Sequence, residues 1–166
     1  MFELKAITRE GIPKALEKAE RYRLLNEPWQ AESICLDVLR TDPENQDALV
    51  MLLLALTDQF DMRLADGAKR AREVLPRLHS DYDQAYYAGV ICERQARAQL
   101  RKGDPASGVI AFHWLREAMS LFEKAEAIRP QWNDDAVIRW NTCARMIMQN
   151  QKLVRESEER IEPLME

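Results

Sequence analysis

Apolar residues in this chain fall into segments with helical spacing, separated by short polar turns. The pattern predicts helices near 13–26, 28–41, 45–60, 63–77, 82–102, 108–128 and 134–149, with a last polar helix at 151–161. Loops are expected at Glu27-Pro28, Thr41–Glu44, Arg77–Asp81, Gly103–Ser107 and Pro130–Asn133. Gly103-Asp104-Pro105 is the strongest turn signal. Asn133-Asp134-Asp135 reads as an N-cap followed by an acidic first turn. Five glycines, and abundant Ala, Leu, Glu, Arg and Gln, agree with an all-α chain.

The helical segments repeat. Ala19, Tyr22, Ala31 and Pro43 stand 3, 9 and 12 residues apart, and Val38-Leu39 precedes the Asp42-Pro43 turn. Val74-Leu75-Pro76 echoes Val38-Leu39 36 residues later, with Ala68 and Ala71 on the preceding turns. Ala118, Phe122, Ala125 and Pro130 follow with spacings of 4, 3 and 5, and Gly89 supplies a small residue in the helix before them. Ala19 and Ala31 would let paired helices approach, Tyr22 would fill the gap between them, and Pro43 would stop the second helix.

These residues resemble the tetratricopeptide repeat (TPR) family in its small, degenerate bacterial form, whose helix-turn-helix unit spans about 34 residues. The resemblance covers residues 12–149. It implies a right-handed α-solenoid of about 3.5 repeats with an elongated third repeat and a C-terminal helix. The chain then reads as one domain, with an N-terminal extension at 1–11, repeats at 12–149 and a polar C-terminal helix or tail at 150–166. Repeat one departs from the family, having Ala15 and Lys18 where Trp and Leu are usual. Repeat three carries about 17 additional residues between Gly89 and Ala118 relative to the family unit. Its two long helices should project beyond their neighbours. Trp140 takes a position usually held by a small residue, and should cover the end of the array.

In the family the first helix of each repeat lines a concave groove. The resemblance therefore places Leu16, Val50, Tyr86 and Val137 in one inward row, and Glu20, Leu54, Val90 and Asn141 in the next. A third row, Arg23, Asp58, Arg94 and Arg145, would give the groove an Arg-rich edge. Such a surface suits an amphipathic helix or an extended peptide with apolar anchors and acidic flanks. The chain's own Phe2, Leu4 and Ile7, or its last helix, could fill the groove instead. Family members that clamp a carboxylate terminus use Lys and Asn at inward positions. Here Leu16, Glu20 and Met51 stand there, which argues against that activity.

Charge adds a second candidate surface. The net charge is −4, which opposes a nucleic-acid partner, but residues 63–102 carry nine basic and five acidic side chains. Lys69, Arg70, Arg72 and Arg77 lie on the fourth helix. Arg94, Arg97 and Arg101 share one face of the fifth, able to meet an acidic partner or simply to be solvated and paired.

The three cysteines, Cys35, Cys92 and Cys143, form no metal motif, and their odd number suits buried thiols in a reducing compartment. Ala48–Thr57, ten uncharged residues, is too short to span a bilayer. The charged N-terminal stretch shows no signal-peptide pattern, so the protein reads as soluble and cytoplasmic, without a membrane partner.

Catalytic patterns are missing. His79 and His113 have no metal-ligand spacing around them; His79 reads as a helix-end residue and His113 as a packing residue. Neighbouring carboxylates such as Asp134-Asp135 and Glu158-Glu159 point about 100° apart on a helix and make no dyad. Trp29, Trp114, Trp132 and Trp140 read as interhelical packing. No cofactor or metal is implied. The expected function is non-catalytic, that of a protein-binding adaptor or assembly subunit. A homo-oligomeric scaffold is the alternative, since three repeats are near the minimum for a stable array.

Overall fold

A computed structural model describes residues 1–150 and Leu153, the side chains of residues 63 and 64 excepted. Among the described residues the regular secondary structure is all helical, with no strand. A 3-10 turn at Arg9–Gly11 leads into α1 (Ile12–Leu24), α2 (Pro28–Thr41), α3 (Gln46–Thr57) and α4 (Phe60–Val74), which runs on into a 3-10 turn at Leu75–Arg77. Then come α5 (Asp81–Lys102), α6 (Ser107–Ala127) and α7 (Asp135–Gln149). The helix expected at 151–161 lies outside the described residues.

Local chemistry sets the boundaries. Asn26 adopts a positive φ of 60° after α1, a conformation that asparagine tolerates, and Pro28 then opens α2 at a position needing no amide donor. The Asn45 side chain caps α3 by accepting from the Ala48 amide at 2.9 Å. Ser80 caps α5 in the same way, accepting from the Asp83 amide at 3.2 Å. Gly103, at φ 69°, ends α5 in the left-handed conformation. At the start of α7 it is Asn133 that accepts from the Asp135 amide, at 3.0 Å, while Asp134 instead receives a bond from Arg129 at 2.6 Å.

The junction between α3 and α4 differs from expectation. The fourth helix starts at Phe60 rather than near 63, and α3 correspondingly ends at Thr57. Only Asp58 and Gln59 separate them, with no Gly or Pro to mark the break. Phe60 is almost fully buried, so core packing rather than turn chemistry sets where α4 begins.

The chain resolves into two compact units, one over Met1–His79 and a second beginning at Ser80. Within each, helices adjacent in sequence pack together, and α1 also touches α3, as α5 touches α7. The first core holds Ala19, Ala31, Cys35, Val38, Leu49, Leu53 and Ala71, all fully buried. Helix α3 is apolar nearly all round and buries seven of its twelve residues. The second core is built on the α5–α6 pair. These helices have 22 and 21 residues and extend about 33 and 32 Å. Val90, Leu115, Ala118, Phe122, Ala125 and Cys143 are inaccessible to solvent there.

Candidate functional surfaces

In the first unit, Arg23 Nε on α1 donates to Asp58 Oδ2, just past α3, at 2.7 Å, and Nη2 approaches Oδ1 at 3.4 Å. Both partners are mostly screened from water. Leu16 and Glu20 precede Arg23 by seven and three residues on α1, and Val50 and Leu54 precede Asp58 by eight and four. Helical periodicity therefore lays Leu16 and Glu20 alongside Val50 and Leu54. Leu16, Val50 and Leu54 are each half-buried, and Glu20 is exposed. A partly open apolar strip thus crosses two neighbouring helices, with an ion pair at one end.

Phe2 and Leu4 do not cover this strip, being 102% and 71% exposed. The N-terminal segment is tied instead to the end of α2, where Thr41 Oγ1 donates to the Ile7 carbonyl and Arg9 donates to the Thr41 carbonyl.

In the second unit the predicted inward residues have different fates. Val90 is completely buried and belongs to the core, not to a groove floor, because it sits where α5 packs against its neighbours. Tyr86 is half-buried and stacks on Tyr82 with ring centroids 5.7 Å apart, meets Tyr87 edge-on at 5.0 Å and reaches Phe122 at 5.8 Å. Its hydroxyl accepts from Arg139 Nε at 3.4 Å. Burial, reinforced by neighbouring acidic groups, pushes the hydroxyls of Tyr82 and Tyr87 up to about 12. Val137 and Asn141 are half-buried, Arg94 is half-buried and Arg145 is exposed.

Sequence reasoning did not single out Glu93, the charged residue at the centre of this unit. Its side chain is fully buried. One carboxylate oxygen accepts a hydrogen bond from Arg139 Nη1 at 3.0 Å, joining α5 to α7, while the other forms an ion pair with Arg97 Nη2 at 2.9 Å without hydrogen-bond geometry. Burial works against the charge on Arg139, but Glu93 and the Tyr86 hydroxyl outweigh it and raise its pKa. The only early signal was spacing: Glu93 and Arg97 stand four apart on one helix face.

The basic residues of α4 and α5 are partly engaged within the fold. Arg70 pairs with Glu32, which also accepts from Gln59 at 2.7 Å. Arg97 pairs with Glu93, and Arg77 donates to the Pro43 carbonyl at 2.9 Å. Lys69, Arg72 and Arg101 are exposed. His79 follows the 3-10 turn at Leu75–Arg77, and its Nε2 lies 3.0 Å from the Glu44 carboxylate. All three cysteines are buried free thiols, and burial pushes Cys35 and Cys143 up to about 12.

Two tryptophans contradict the packing expectation. Trp29 is 56% exposed and Trp132 88% exposed, the latter in a turn at φ 65°. Trp140 is half-buried, and its indole N–H donates to Glu123 Oε1 on α6 at 2.9 Å. Among the described residues, no group of three or more His, Cys, Asp or Glu could hold a metal ion, and no helix is long and apolar enough to cross a membrane.

No family model, curated protein or solved structure matches this chain.

Proposed function

We propose that this protein is a non-catalytic adaptor of tetratricopeptide-like design, binding a helical or extended segment of another protein. The observation that carries this reading is the half-exposed strip of Leu16, Val50 and Leu54, held in register by Arg23 and Asp58. The strip is apolar, spans two helices and is not occupied by Phe2 or Leu4. An amphipathic segment could place its apolar anchors on such a strip, as helix-in-groove recognition requires. Tyr86 and Val90 extend the same reading less well, because both are engaged in packing the second unit.

The test is affinity capture with wild type and a Leu16→Glu/Leu54→Glu variant of equal helicity and melting temperature. Partners retained by wild type and lost by the variant support the adaptor reading. Identical capture by both overturns it. Self-association is the second reading, favoured by the solvent-exposed Leu24, Leu25, Leu36 and Met62. A mass that grows with protein concentration in light scattering would support it.

A further inference from the structure

Helices α6 and α7 enclose an open cleft of about 260 Å³, lined by Glu123, Glu126, Val137 and Trp140. The residues pair by spacing: Glu123 and Glu126 share one face of α6, and Val137 and Trp140 share one face of α7. One wall is therefore acidic and the other apolar and aromatic. The hydrogen bond from the Trp140 indole to Glu123 fixes the ring against the acidic wall. That bond uses one lone pair of a carboxylate that can accept several more hydrogen bonds. The nearest cation beyond Glu126 on the chain, Arg129, turns to Asp134 at 2.6 Å.

We propose that this cleft is a docking subsite for an arginine side chain of a partner polypeptide. The site is separate from the apolar strip of the first unit and does not depend on it. Charge complementarity selects a cation, and the aromatic wall selects among cations. A guanidinium can lie flat on an indole while its edge N–H groups reach carboxylates on the adjoining wall. An ammonium, being compact and strongly hydrated, uses only part of that arrangement. Val137 offers apolar contact to the methylene stem of the incoming side chain. The turn joining the two helices carries Trp132, 88% exposed in a left-handed backbone conformation that a bulky residue rarely adopts. The hairpin that forms the cleft thus also presents a large aromatic surface to a partner chain.

The experiment follows the Trp140 indole N–H resonance of the full chain while N-acetylarginine amide is added at low ionic strength. N-acetylcitrulline amide, which keeps the shape and loses the charge, is the control. A saturable shift with the arginine compound, and none with citrulline, is expected. Glu126→Gln should weaken binding about fivefold, the size of one partly exposed charge pair. Glu123→Gln should weaken it similarly while preserving an acceptor for the indole. N-acetyllysine amide should bind more weakly than the arginine compound. The proposal is overturned by an equal response to citrulline, by the absence of saturation, or by equal binding to both glutamine variants and wild type. Lysine binding as tight as arginine would overturn the stacking geometry and with it the choice of arginine.

Discussion

Gly89 on α5 lies so close to Phe122 on α6 that a Cβ built on the glycine would stand 2.6 Å from ring atom Cε1. Phe122 is fully buried, so its ring has no room to withdraw. Gly89→Ala should gain about 1 kcal/mol of helix propensity but lose more to overpacking, which costs about 1–3 kcal/mol. The expected outcome is a lower melting temperature. Shortening the ring in a Gly89→Ala/Phe122→Leu double variant should recover part of that loss, and strictly additive destabilisation would contradict the contact.

Glu93 anchors two arginines from a position without solvent access. Glu93→Gln should destabilise the second unit by about 3 kcal/mol, because removing one partner leaves the others desolvated and incompletely paired. Urea unfolding measures this. An unchanged transition midpoint would show that water replaces the lost carboxylate charge at no cost.

Arg23 and Asp58 couple α1 to the end of α3 from partly exposed positions. Their coupling energy in a double-mutant cycle with Arg23→Met and Asp58→Ala should be about 1 kcal/mol. A coupling near zero would mean that the strip of Leu16, Val50 and Leu54 keeps its register without the pair.

The thiols of Cys35 and Cys143 rise from 9.0 to about 12, and the hydroxyls of Tyr82 and Tyr87 from 10.0 to about 12, in each case chiefly through burial. All four are neutral when protonated, and the fold favours that form. Their contribution to stability is therefore complete below pH 9, where the unfolded chain is also protonated. It falls as pH rises from 9 towards 12, while the unfolded chain ionises and the native one does not. Melting temperature should decline across that window. At pH 8 Cys35 and Cys143 should resist a thiol reagent until denaturant is added, and rapid labelling of the native protein would refute their burial.

Helix boundaries were readable wherever a residue with a local conformational rule marks them. Pro28 opens α2 as expected, Asp42-Pro43 follows its end, and Gly103 closes α5. The start of α4 was not readable, because burial of Phe60 decides it and no local residue announces it. The candidate surface was legible in part. The resemblance assigned Leu16, Leu54 and Arg23 to inward rows, and the structure leaves the two leucines half-buried and pairs Arg23 with Asp58, but the exposure of each position depends on what packs beside it. Val90 is sealed into the core for that reason, and Trp132 stands in solvent despite being among the most apolar residue types. Glu93 escaped notice because its second partner, Arg139, lies 46 residues away in sequence.

Packing between neighbours in sequence has a consequence for how the chain is made. In the first unit α1 meets α2, α2 meets α3 and α3 meets α4; in the second α5 meets α6 and α6 meets α7. Each helix thus finds its main partner among residues synthesised just before it or just after. Such local wiring shortens the loops that folding must close and speeds the search for native contacts. Assembly can then proceed in step with translation, the first unit closing its core while the ribosome is still adding the long α5–α6 hairpin.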